Sequence, residues 1–273
     1  QEITHQKSSR QQACFALSKT GKLVDLYKPP VKASDITGGL FLQKEKQNKQ
    51  KEEKDSNMRN ERITYEDQYQ GHPIMTDKAR QLGCKESILQ KIDQIMTDMN
   101  NRHSKTFFMR FDIRFPQGYD YPNDNELFSQ FQESFIKNRK RAGYDPAYIA
   151  VRECSREKHQ HYHVALMMNG HKTQNIHDHI QTAERLWEKA LNLPSKCDNT
   201  GRATSYGLID DCMRNRQGQP QGNGVMLRKD DPEYERKYDQ CFRRCSYLAK
   251  VNQKDASPKH QREVFSSRIQ KNP

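Results

Sequence analysis

Apolar and polar positions follow two clear rhythms between residues 80 and 255. The segment "ESILQKIDQIMTDMN" sets Ile88, Ile92, Ile95 and Met99 at helical spacing. The next, "KTFFMRFDIRFP", changes to period two. Phe107, Met109, Phe111, Ile113 and Phe115 then share one face, which predicts a long strand ended by Pro116. Asn123 with Glu126 predicts a capping-box start for a helix carrying Leu127, Phe131 and Phe135, closed by Gly143.

Two strand-like runs follow, "AYIAVREC" (147–154) and "HYHVALMM" (161–168), and the polar turn "SREKHQ" between them predicts an antiparallel hairpin. Thr173 is read as the cap of a helix with Ile176, Ile180, Ala183, Trp187 and Ala190 on one stripe, stopped by Pro194. After a loop rich in Gly and Asn, "GVMLR" (224–228) predicts a short strand, and Asp231-Pro232 opens a last helix running to about Val251. The order strand, helix, strand, strand, helix, strand, helix predicts an α+β fold. Its central antiparallel sheet has split βαβ topology of the RRM or ferredoxin-like kind, with helices packed on it. Such a fold serves many functions, so function has to be argued from a site.

Outside this region the rhythm fades. Residues 43–63, "QKEKQNKQKEEKDSNMRNERI", hold almost no apolar side chain and read as a solvated linker, so 1–70 is expected to be a poorly determined basic arm and charged linker, and 256–273 a basic C-terminal tail. Lys and Arg outnumber Asp and Glu by 47 to 35, a net +12. With no amphipathic lipid-binding or transmembrane run beside it, that excess favours nucleic acid over membrane as the partner. The seven cysteines form an odd set without a C-x-x-C pair. Cys241 and Cys245 read as two positions on one helix face, and reduced thiols in a bacterial cytoplasm are expected. No signal peptide or transit sequence is recognised. The chain opens on Gln1 rather than methionine, which leaves the natural start open.

Candidate chemistry gathers on the hairpin. His161 and His163 alternate, so both project from one face of a strand, about 6–7 Å apart along it. If the hairpin turns around Glu157, residue 153 pairs with residue 161 and Glu153 faces the same side. Two imidazoles and a carboxylate with open positions suit Mg2+ or Mn2+ better than a closed structural zinc. His159, at the turn, is read as a bystander. The same pattern also suits a half-buried strand whose histidines meet other polar groups.

The last helix carries a second constellation. Tyr234, Tyr238, Cys241, Cys245 and Leu248 make its core stripe. Tyr247 lies off that stripe, with Arg243 and Arg244 one turn before it and Lys250 three residues after. A phenol normally titrates near ~10, and neighbouring cations favour its phenolate, a nucleophile for a metal-bound phosphate. A tyrosine that simply closes the core edge, with its hydroxyl in water, fits the helix equally.

Together "HYH" at 161–163, Glu153 and "YLAK" at 247–250 resemble the HUH (histidine, hydrophobic, histidine) endonucleases, and among them the rolling-circle replication initiators with one catalytic tyrosine. The runs "FFMRFDIRFP", "YIAVRE", "HYHVALMMNG", "GNGVMLRK" and "CSYLAK" are similar to the replication proteins of filamentous phages (inoviruses) and prophages. The resemblance covers about residues 85–255, so 80–255 is expected to be an HUH-type nuclease domain. It implies His161, His163 and Glu153 as ligands of Mg2+ or Mn2+, Tyr247 as the nucleophile that nicks single-stranded DNA at a replication origin and keeps the 5′ phosphate, and Lys250 as the lysine that assists. Arg243 and Arg244 are expected to contact DNA. Tyr162 departs from the usual aliphatic middle residue. No G-x-x-x-x-G-K-[ST] occurs, so a separate helicase from the host or the element is expected. Two other classes stay open. One is a non-catalytic single-stranded nucleic-acid-binding module that stacks bases on Phe107, Phe111, Tyr148 and Tyr162; the other is a regulatory protein of a mobile element.

Overall fold

The computed structural model describes residues 15–17, 23–25, 61–120, 123–154, 160–215, 217–251 and 261–269. The charged run 43–60 and the turn residues 155–159, with Glu157 and His159 among them, lie outside that set. Residues 1–60 form one unit, in which Phe15–Leu17 pairs antiparallel with Leu23–Asp25. Residues 61–273 form a second unit, wider at both ends than the expected 80–255.

In the second unit α1 (Glu86–Arg102) leads into β1 (Lys105–Arg114), followed by α2 (Glu126–Arg141), β2 (Ala147–Glu153), β3 (His161–Asn169) and α3 (His177–Ala190). The short strands β4 (Ile209–Asp210) and β5 (Val225–Arg228) precede α4 (Tyr234–Ser246), and β6 (Val264–Ser266) ends the order. The sheet runs β4-β1-β3-β2-β6, with β5 beside β4 on the outer edge of β1, and every pairing is antiparallel. Because β3 lies between β1 and β2, the connection through α2 is a split βαβ unit. The fold is the expected α+β arrangement with an antiparallel central sheet.

Both faces of the sheet are covered, which follows from strands that are apolar on both sides. Phe107, Met109, Phe111 and Ile113 of β1 and Tyr162, Val164, Leu166 and Met168 of β3 pack with Phe128, Phe131 and Phe135 of α2 and Trp187 of α3. Phe108, Ile149, Ala165 and Met167 point the other way, against Ile88, Ile92 and Met99 of α1 and Tyr238, Cys241 and Cys245 of α4. The proposed stacking platform is therefore absent: Phe107, Phe111, Tyr148 and Tyr162 are all buried. Tyr162 lies flat on Phe128, with ring centroids 3.8 Å apart, and its hydroxyl donates to Asn125 Oδ1 at 3.0 Å. The middle residue of the histidine pair is thus a core residue of the opposite face, where an aromatic ring fits.

Several local expectations are corrected. Asn123 does not cap α2. Its side chain accepts a hydrogen bond from Arg152, while Asp124 Oδ1 accepts from the Glu126 amide at 2.9 Å. Thr173 meets His179 Nε2 at 2.7 Å instead of capping α3. The basic tail expected at 256–273 contains β6, whose Phe265 pairs with Ala150 and closes the aromatic core. Finally, α4 stops at Ser246 and tightens into a 3-10 turn, Tyr247–Ala249. Lys250 there turns extended and bridges to Cys84, and the Val251 amide donates to Gly83 O at 3.0 Å. Residue 83 must be small, since a Cβ would stand 2.7 Å from Thr64 O.

Candidate metal and tyrosine site

The face of the sheet covered by α1 and α4 turns polar at one end. On β3 the side chains alternate, so His161 and His163 continue the row of Ala165 and Met167 beyond the helices. Glu153 stands opposite His161 in the hairpin register, the pairing expected from the sequence. From the other side, β1 sets Asp112 opposite His163 and Arg114 opposite His161.

The resulting geometry is tight. Glu153 Oε2 lies 3.2 Å from His161 Nε2 and 3.1 Å from His163 Nε2, and one donor atom from each of the three residues falls within 4.8 Å of the others. His163 Nδ1 lies 2.8 Å from Asp112 Oδ1. A carboxylate only accepts, so Nδ1 carries a proton, and in the neutral imidazole Nε2 is left with a lone pair on the Glu153 side. That buried Nε2 makes no hydrogen bond. An imidazole nitrogen without a hydrogen-bond partner, a second imidazole and a carboxylate form a donor set that fits a divalent cation, with Asp112 orienting one ligand from behind.

Burial works against charge at each of these groups, and the neighbours reverse it. For Glu153 burial alone would raise the carboxyl. The His161 and His163 imidazoles, 3.2 and 3.1 Å from its oxygen, outweigh it and hold it at about 2. For Asp112 burial is overcome by His163 and Arg110, which carry the carboxyl well below the usual range. Burial would lower the His163 imidazole, but Asp112 raises it. The Cys212 thiol nearby is pushed up by burial and by Asp112, so it stays protonated rather than nucleophilic.

The structure brings Tyr247 to this cluster. Its ring meets the His163 ring edge to face, with centroids 5.0 Å apart. Arg110 Cζ lies 4.2 Å and Lys250 Nζ 5.2 Å from the ring centroid. Arg244 lines the same cleft and is held at its wall, donating to Cys212 O at 3.1 Å and Gln221 Oε1 at 3.3 Å. Arg243 is exposed and does not line the cleft. The cleft, about 850 Å3, is completed by residues the sequence reading missed, above all Arg110, Asp112, Arg114 and Arg214. The signal for three of them was present in "FMRFDIRF", whose second face reads Arg110, Asp112, Arg114. Which strand that face would meet was not written there.

The loop from β4 to β5 forms one wall. β4 bonds β1 at Asp112 and Ile113, and β5 bonds it from Lys105 to Phe108. Between them the Asn223 side chain takes the place of a strand residue, accepting from Arg110 N at 2.8 Å and donating to Arg110 O at 2.7 Å. Cys212, Arg214, Asn215 and Gln221 of this loop are thereby free to leave the sheet edge and line the cleft.

Among the described residues no helix is long and apolar enough to cross a membrane. In known structures, the chain aligns with the catalytic domain of the Rep protein of adeno-associated virus type 5, at 10% identity over 50% of this chain and 95% of that one, with a TM-score of 0.24. It also aligns with the N-terminal nuclease domain of non-structural protein 1 of minute virus of mice, described with a Zn2+ in its active-site pocket, at 12% identity over 60% and 99% of the two chains and a TM-score of 0.24. The uncharacterised protein YfjJ of Escherichia coli strain K12 is 24% identical over 193 residues, 60% of this chain and 86% of the relative. The family model for the YagK/YfjJ C-terminal domain matches residues 64–266, a span that takes in β6 and the segment before α1. The chain belongs to the YagK/YfjJ C-terminal domain family.

Proposed function

We propose that this protein is a metal-dependent nickase and strand transferase of single-stranded DNA that works through a covalent 5′-phosphotyrosine. The observation that carries this reading is the seat of Tyr247, edge-on to His163 beside the Glu153/His161/His163 cluster in a cleft rich in cations. Glu153, His161 and His163 would hold Mg2+ or Mn2+, which when bound would polarise the phosphoryl group and offset the negative charge on its oxygens. The Tyr247 oxygen bonds to phosphorus as the P–O3′ bond breaks. The phenolic proton leaves and the 3′ oxygen takes one up, so a phosphodiester becomes a phosphotyrosine diester and a free 3′ hydroxyl. Since one ester replaces another, a second 3′ hydroxyl can reverse the step and transfer the strand. Lys250 and Arg110 at the ring, with Arg244 at the wall, oppose the negative charge of the reacting phosphate. Arg243, exposed on the same helix, suits a contact to the flanking backbone.

The setting that suits this chemistry is initiation of rolling-circle replication of a phage or prophage-like element, with strand separation left to another protein. The test incubates the protein with labelled single-stranded oligonucleotides of the element's origin region in Mn2+ or Mg2+ and looks for an adduct that survives denaturation. Wild type is expected to form it, EDTA to prevent it, and Tyr247→Phe to abolish it. An adduct formed equally well by Tyr247→Phe overturns the assignment. Salt-dependent binding with no cleavage in either ion supports a binding module instead.

A further inference from the structure

We propose that Arg110 and Asp112 are a positioning pair that joins the two halves of the site, Asp112 setting the His163 ring and Arg110 seating the Tyr247 ring against it. This rests on the nickase reading and adds to it two residues on a strand that carries none of the motif positions.

Asp112 Oδ1 receives two donors, His163 Nδ1 at 2.8 Å and Arg110 Nη2 at 3.1 Å, and Oδ2 lies 3.2 Å from the same Nη2. Arg110 Nη2 and His163 Nδ1 are 3.3 Å apart. Two N–H groups cannot bond one another, so both point at the carboxylate. The imidazole is thereby held in one tautomer with Nε2 toward Glu153. Arg110 is itself buried, and its Nε has no hydrogen-bond partner. The contacts that orient the guanidinium are therefore Asp112 on one side and the Tyr247 ring, 4.2 Å away, on the other. The chain of contacts runs His163, Asp112, Arg110, Tyr247, and closes where the Tyr247 ring meets His163.

The backbone holds the pair rigidly. Arg110 and Asp112 sit on a central strand, and the Asn223 side chain bonds both the amide and the carbonyl of Arg110. A lysine at 110 would keep the charge but lose the planar fork and the face that lies on the ring.

Two variants and one wild-type measurement separate the roles. Asp112→Asn is expected to weaken Mn2+ binding, read by calorimetry, by about 10- to 100-fold, and to regain most of the adduct-forming rate when Mn2+ is raised to saturation. Arg110→Lys is expected to bind Mn2+ and oligonucleotide within about threefold of wild type, yet to form adduct at least tenfold more slowly at saturating Mn2+, a loss on the scale of misplaced reacting groups. In wild-type protein the Arg110 side-chain protons should be shifted upfield in the NMR spectrum by the Tyr247 ring, and Tyr247→Leu should remove the shift. Unchanged Mn2+ affinity in Asp112→Asn, or an unchanged rate in Arg110→Lys, overturns the pair. So does a wild-type spectrum without the ring shift, which holds even if a variant fails to fold. Should wild type form no adduct, the nickase reading fails by itself, while the affinity and ring-shift results still decide the contacts.

Discussion

Acid titration of the protein kept free of divalent ions by chelator gives a direct measure of the Glu153 cluster. The Glu153 carboxyl falls from its ordinary 4.5 to about 2 on folding. A group with a depressed folded value binds fewer protons when folded, so its contribution is complete above 4.5 and disappears as pH falls through about 2. At roughly 1.4 kcal/mol for each pH unit, that contribution is about 3 kcal/mol, shared among Glu153 and its two imidazole partners. His163 acts in the opposite sense. Its value is raised, so its contribution is complete below 6.5 and is lost as pH rises through the folded value. The metal-free protein should be most stable between about 4.5 and 6.5. Trp187 is the chain's one tryptophan and is fully buried, so its emission reports urea unfolding across this range. Glu153→Gln should be less stable than wild type by up to about 3 kcal/mol at pH 5.5, with the difference shrinking toward zero near pH 2. Other carboxylates titrate in both proteins alike, so the difference isolates this one. Parallel acid limbs for the two proteins would refute the reasoning, because they would mean that Glu153 is not charged against the imidazoles.

Four further outcomes follow from the structure. Gly83→Ala should cost about 1–3 kcal/mol, since its Cβ would press on Ile63 and Thr64 O, and should slow adduct formation by shifting Lys250, as read by urea unfolding and adduct assays. Tyr162→Phe should cost about 1–3 kcal/mol by leaving Asn125 and Gln160 short of a partner, yet leave Mn2+ affinity unchanged because the phenol lies on the opposite face from the histidines. Arg243→Ala should lower the slope of log affinity against log salt by about one for a single-stranded oligonucleotide, with stability within about 0.5 kcal/mol of wild type. Arg244→Ala should lose stability as well, because its guanidinium ties α4 to Cys212 and Gln221.

Where structure is set by neighbouring residues, the sequence reads well. Period two on 105–115 located β1, the two strand-like runs around the polar turn located β2 and β3, and a turn centred on Glu157 set Glu153 across from His161. Stripes of apolar residues located the four α-helices found among the described residues. What could not be read is non-local. Asp112 and His163 are 51 positions apart, and no rhythm within either strand says that the two are neighbours. The early end of α4 has the same origin, since Lys250 leaves the helix to bridge Cys84, far back in the chain. β6 is three residues of ordinary composition that become a strand only because β2 offers an open edge. The stacking platform misled for a related reason: aromatic side chains on an alternating strand look the same whether the face is bare or roofed by α2 and α3.

The stitch between Lys250–Val251 and Gly83–Cys84 bears on how the reaction would proceed in space. A tyrosine at a loose helix end could swing to meet its target. Tyr247 instead sits where two distant stretches of chain are knotted together, with Met75 N bonded to Ser246 Oγ at 2.8 Å just before it. It is an anvil rather than an arm. Under the strand transfer proposed above, the DNA ends would do the travelling, and the step that limits turnover would be the departure of one 3′ end and the arrival of the next.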